Sequence, residues 1–123
     1  MINATFNNQL KILETQFKND VSLNQLLDFI NDTTKNACYP RTLKILADAQ
    51  HVVFKFSIND LVTIKNETNR SLEYYDSIAS AIIINNPKTA AITTLFQTLT
   101  INETSHFDVF STKEAALNWL NTF

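Results

Sequence analysis

The chain contains no glycine. Glycine supplies positive φ and lets a backbone approach a phosphate closely. Its absence excludes the P-loop, the GxGxxG dinucleotide fingerprint, the GxSxG nucleophile elbow and a standard EF-hand loop. Cysteine is nearly absent: Cys38 stands alone, which rules out an internal disulfide and fits a reducing compartment. Charge is sparse as well, with charged residues at 18% and a formal net charge of −2. The basic residues run from Lys11 to Lys113 with no adjacent pair. Nucleic-acid binding needs a basic stripe and a polybasic membrane anchor needs a cluster, so neither is expected. The longest strongly apolar run, Ile78 to Ile84, is interrupted by Ser80 and is too short for a transmembrane segment. Met1 to Asp20 has no basic n-region and no continuous apolar h-region, so no signal peptide is expected and the protein reads as cytoplasmic.

What is present suits a folded chain. There are 123 residues, 45% of them hydrophobic, which predicts a single domain over 1–123. A chain of this size buries roughly 65–70% of its unfolded surface and needs no disulfide or metal to fold.

The elements follow from periodicity and caps. Thr5–Phe6 and Leu10–Phe17 read as two strands around Asn7-Asn8, because asparagine tolerates positive φ in a tight turn. Ser22 with Gln25 is a capping box, and Leu23, Leu26, Leu27 and Ile30 then share a helical face. Tyr39-Pro40 breaks the chain. Leu43–Ala47 reads as a buried strand ending at Asp48, and His51–Phe56 as extended, either strand or ordered loop. Ser57 with Asp60 is a second capping box, opening a helix that ends near Tyr75–Asp76. Ile78–Ile84 is a buried strand, and Asn86-Pro87 starts a third helix with an apolar stripe of Ala91, Ile92, Leu95, Phe96 and Leu99. His106–Phe110 alternates as a strand, and Ser111 with Glu114 caps a last helix that buries Ala116 with Trp119 or Leu120. The order β-β-α-β-α-β-α-β-α predicts the α/β class: a mixed, mainly parallel five-stranded sheet with about four helices.

Ligands of such sheets favour the edge beyond the carboxyl ends of the parallel strands. That edge would collect Asp48, Asn86 and the helix starts at Ser57 and Thr112. Helix capping explains Ser57, Asn86 and Asp60 equally well. An apolar groove is the other candidate, formed by Phe54, Phe56, Leu61, Tyr74 and Tyr75. Conventional chemistry is thin. Cys38 has no adjacent base, and His51 and His106 have no His or Cys at metal-ligand spacing. No catalytic residue, metal or cofactor is therefore expected, and the chain reads as a non-enzyme.

Three stretches carry a resemblance to a known family. They are Pro40-Arg41-Thr42-Leu43-Lys44-Ile45-Leu46-Ala47-Asp48-Ala49, Phe56-Ser57-Ile58-Asn59-Asp60-Leu61, and Val109-Phe110-Ser111-Thr112-Lys113-Glu114-Ala115-Ala116-Leu117-Asn118-Trp119-Leu120. With Asn86-Pro87 between them, the sequence resembles the SpoIIAA-like branch of the STAS-domain superfamily, in a short stand-alone bacterial form. The resemblance implies a SpoIIAA-like fold without enzyme activity. It implies regulation through a protein partner, as in the anti-sigma-factor antagonists, which are switched by phosphorylation of a serine at the start of the second helix. Ser57 lies at the matching place, although Phe56 stands where that motif has Asp and no glycine follows. A weak homodimer is expected on the same grounds. Other SpoIIAA-like proteins look like carriers of apolar, lipid-like ligands or membrane-associated modules. In that alternative, Phe54–Phe56 and the helix from Ser57 to Tyr75 would cover a cavity.

Overall fold

A computed structural model describes residues 1–100 and 104–123. Its strands are β1 (Ile2–Asn7), β2 (Ile12–Ser22), β3 (Thr42–Lys55), β4 (Ser77–Ile83) and β5 (Ser105–Phe110). Its helices are α1 (Leu23–Lys35), α2 (Leu61–Ser71), α3 (Pro87–Thr100) and α4 (Lys113–Leu120), with a 3₁₀ turn at Ile58–Asp60 before α2. The strands form one sheet in chain order, with β1 antiparallel to β2 and every other pair parallel. The α/β class, the mixed sheet and the element order are those the sequence predicts.

The sheet has a core on each face. Ile12, Leu46, Ala79, Ala81 and Ile83 pack against Ala116 and Leu120 of α4. Phe17, Val21, Ala47, Ala49, Val52 and Ile82 form part of the other face, where Leu26 and Phe29 of α1 and Ala90 of α3 close on them. Right-handed crossovers between neighbouring parallel strands put successive helices on one side, leaving the last helix to cover the other.

Of the extended stretch His51–Phe56, residues His51 to Lys55 are strand, because β3 continues to Lys55. Asp48 is therefore inside a strand, paired with Gln16 and Ile83, rather than at a strand end. The pairing slips just beyond it: Gln16 opposes Asp48, but Lys18 opposes His51. One extra residue on β3 is a β-bulge, and a bulge reverses which side chains face which side. Ala47 and Ala49 face α1–α3 before it, and Val52 and Phe54 do so after it. The Asp48 carboxylate accepts from the Gln50 backbone N–H at 3.2 Å and from Gln50 Nε2 at 3.1 Å, which fixes the bulge.

The first turn differs from the expected Asn7-Asn8 pair. Asn7 Oδ1 accepts from the N–H groups of Gln9 and Leu10, both at 3.0 Å, and the positive φ falls on Lys11 at 57°. The amide side chain works as an acceptor, and the left-handed position comes four residues later. The last helix is capped by Thr112, whose Oγ1 accepts from Ala115 N at 3.2 Å, one residue beyond the expected Ser111. Extended backbone at Thr112 leaves Ser111 outside the cap.

The third helix departs most. Ala91 is exposed, Leu95 is 46% and Leu99 39% exposed, while Thr89 and Thr93 are buried at 5% each. The predicted stripe is turned away from the sheet, with only Ile92 and Phe96 half-buried. Gln97 sets this rotation. Its Nε2 donates to the Phe107 carbonyl at 2.8 Å and to Asp108 Oδ1 at 3.3 Å. Thr93 Oγ1 donates to the Thr89 and Ala90 carbonyls, both at 3.0 Å, so its burial leaves no hydroxyl unsatisfied. The Gln97 tie also covers the edge of β5. Thr104 and Phe110 carbonyls bond to β4, so the alternate groups of β5 point outward. Of these, the Phe107 carbonyl is taken by Gln97 and the Val109 N–H by Asp108 Oδ1 at 2.8 Å.

A left-handed conformation costs a non-glycine residue about 1–2 kcal/mol, and glycine loses about 0.5–1 kcal/mol of that in chain entropy. Lys11→Gly is expected to raise unfolding free energy by about 0.5–1 kcal/mol, and Lys11→Val to lower it, as read by urea denaturation. A stabilising Lys11→Val would contradict this account of the turn.

Candidate functional site

Between the sheet and α1, α2 and α3 lies a cavity of about 150 Å³. Its floor is Phe17, Ile45, Ala47, Ser80 and Ile82, and its roof includes Leu26, Phe29, Leu61, Ile64, Ile92 and Phe96. The space opens in part to solvent between the helices and is apolar along most of its wall.

Two groups of rings form part of the wall. Phe17 meets Phe29 edge-on at 6.0 Å and Phe54 at 6.2 Å, and Phe96 meets Phe107 edge-on at 5.3 Å. Polar side chains also line the space, yet most have their hydroxyls engaged. Thr33 donates to Phe29 O at 2.9 Å, Thr68 to Ile64 O at 2.9 Å, and Thr93 to its own helix. Such back-bonding to the preceding turn leaves the methyl group as the side chain's free surface. Ser71 shares a short hydrogen bond with Thr34, tying α2 to α1. A polar tie thus joins α1 to α2 beside a space that apolar side chains do not fill.

The sequence-predicted site residues fall in three places. Phe54 and Leu61 line the cavity, and the Phe56 ring lies 5.0 Å from that of Phe54. Tyr74 is exposed and Tyr75 is buried in another part of the core with Leu13, Leu43 and Ile78, so neither lines the cavity. Ser57 and Asp60 form a cap: the Asp60 carboxylate accepts from Ser57 N at 2.9 Å and from Ser57 Oγ at 3.2 Å. Asn86 caps α3, its Oδ1 accepting from Lys88 N at 2.9 Å and Thr89 N at 3.4 Å. Asp48 is held at the bulge. Among the described residues, no hydrogen bond joins Asp48 or Asn86 to the Ser57–Asp60 pair.

Residues missed by the sequence reading include Ser80, Thr93 and Phe29. Ser80 had a signal, as the polar interruption of an otherwise apolar strand. Thr89 and Thr93 had another, as a polar i, i+4 pair within an apolar helix. No described helix is long and apolar enough to cross a membrane.

No protein-family model and no curated protein matches the chain. A solved structure does: an uncharacterized protein from the DUF3478 family with a SpoIIAA-like fold, from Shewanella loihica PV-4. The two are 15% identical, the match covers 97% of this chain and 93% of that one, and the TM-score is 0.63. At that identity the likeness shows the fold, which is SpoIIAA-like.

Tyr75 closes the end of the molecule away from the 3₁₀ turn. Its hydroxyl donates to the Thr33 carbonyl at 2.6 Å, and the Arg41 guanidinium sits 4.2 Å over its ring. Burial pushes the phenol above its ordinary value, against a lesser lowering by Arg41. The folded state therefore holds the proton more tightly than the unfolded one. This stability is fully present below about pH 10 and is lost as pH rises through the folded value. Urea midpoints measured from pH 8 to 11 are expected to fall more steeply for the wild type than for Tyr75→Phe. Equal slopes would contradict the assignment.

Proposed function

We propose that the chain is a non-enzymatic binding module that takes up a small apolar ligand between its sheet and α1–α3. The cavity carries this reading. Its volume, about 150 Å³, matches that of engineered apolar cavities that stay dry and bind benzene. Its walls are built mostly of Phe, Ile and Leu, and among the described residues no Asp, Glu, Lys or Arg lines it. A pocket of that character offers burial of apolar surface and almost no polar chemistry.

Benzene tests the reading. At ten times its dissociation constant a ligand adds about 1.4 kcal/mol, or roughly 3–6 °C in Tm for a chain of this size. Ala47→Leu fills the floor of the cavity and is expected to raise Tm and abolish the benzene shift. A wild-type Tm indifferent to benzene up to its solubility would remove the reading.

Contact with a protein partner, a second copy included, is favoured by a separate surface. Ile58 is 60% and Val62 54% exposed, and both follow Ser57 at the start of α2. A phosphate on Ser57 would stand against the Asp60 carboxylate, open the cap and add about −1.5 to −2 charge to that surface. The double variant Ile58→Asp, Val62→Asp is expected to shift sedimentation from dimer to monomer. Its stability should change by no more than about 0.5 kcal/mol, since both side chains are exposed. An unchanged sedimentation coefficient across concentrations for wild type and variant would count against self-association here.

A further inference from the structure

We propose that the cavity takes an amphiphile, one ring or short chain bearing a single neutral hydrogen-bonding group, and that the Ser80 hydroxyl is the partner of that group. The proposal deepens the apolar-ligand reading and rests on it.

Ser80 lies in the middle of β4, paired with Ile45 of β3 on one side and Phe107 of β5 on the other. Its neighbours on the same face, Ile78 and Ile82, are buried at 7% and 4%. Ser80 itself is only half-buried. At the centre of a sheet covered by helices, that residual exposure comes from the cavity the residue lines. The other engaged hydroxyls of the wall mark a contrast. Thr33, Thr68 and Thr93 bond to their own helices and Ser71 to Thr34. The Ser80 hydroxyl makes no hydrogen bond with the described residues. No side-chain polar atom among them is sealed away without a partner, so its oxygen is open to the cavity.

An alanine would fill this position in the strand, as it does at Ala79 and Ala81 on either side. A hydroxyl here adds one donor and one acceptor in a space otherwise suited to hydrocarbon. That fits a ligand with one hydroxyl, carbonyl or amide. An ionised carboxylate or phosphate does not fit, because an unpaired charge in an apolar cavity is strongly disfavoured and among the described residues no Lys or Arg lines this one. His106 reaches the wall, but its ring lies against that of Phe123, with centroids 4.7 Å apart. The size of the cavity and the open hydroxyl of Ser80 point to a molecule like phenol.

The test compares benzene with phenol by calorimetric titration of the wild type, Ser80→Ala and Thr93→Val. Both variants remove one lining hydroxyl, and Thr93→Val removes one already engaged by its helix. The ratio of the benzene to the phenol dissociation constant is expected to fall about 3- to 10-fold in Ser80→Ala and to stay within twofold in Thr93→Val. If both probes bind and Ser80→Ala leaves the ratio unchanged, or Thr93→Val lowers it equally, the Ser80 pairing is overturned and the apolar-ligand reading survives. If neither probe binds the wild type, both fall together.

Discussion

The guanidinium of Arg41 gathers carbonyls that helix ends would otherwise leave bare. It donates to Asn36 O at 2.8 Å beyond α1, to Tyr74 O at 2.9 Å beyond α2, and to Tyr39 O at 2.7 and 3.1 Å in its own loop. Its ring partner, Tyr75, reaches the last turn of α1. Five donors in a planar fork suit this gathering, which a lysine ammonium could not reproduce. The strand feels it too: the Arg41 carbonyl accepts from Asp76 N at 2.7 Å and starts β4 beside β3. One end of α1 and α2 is thereby fixed by polar ties as well as by packing around Tyr75. The hydroxyl pair of Thr34 and Ser71, and the grip of Gln97 on β5, act in the same way. Helices held by polar ties need not collapse onto the sheet beneath them. The cavity is the space those ties leave.

Much of the fold was legible because it is encoded locally. Ser22 with Gln25, and Ser57 with Asp60, announce helix starts, and both pairs bond as the capping box requires. Alternation of strand and helix then restricts the topology. What was hidden depends on distant partners. The rotation of α3 follows from Gln97 meeting a carbonyl ten positions on, so hydrophobicity along the helix points to the wrong face. The bulge after Asp48 moves Phe54 onto the helical side, and nothing in the run His51–Phe56 indicates that change of phase. Tyr75 was legible as an inward residue but not as a hydrogen-bond donor to Thr33, forty-two positions away. Of the site, Phe54 and Leu61 could be read; Ser80 could not be distinguished from a tolerated interruption.

Turning without glycine has its own solution here. Asn7, Asn36, Asp48, Asp60 and Asn86 each offer a side-chain oxygen to a nearby backbone N–H. Short amide and carboxylate groups mimic a backbone turn and satisfy its donors. Positive φ is then needed only sparingly, and among the described residues it occurs at Lys11 and Asn19. The same residues that make the chain look polar and featureless do its bending.

The covered edge of β5 limits how this sheet can grow. A sheet with two open edges can add neighbours without end, as fibrils do. Here Gln97 and Asp108 occupy outward groups on one margin. That leaves β1 as the margin where another strand can add. Two molecules joined margin to margin through β1 would turn outward only β5 margins, on which Phe107 O and Val109 N–H are already engaged. The two margins are therefore unequal, and strand addition is favoured at β1 over β5.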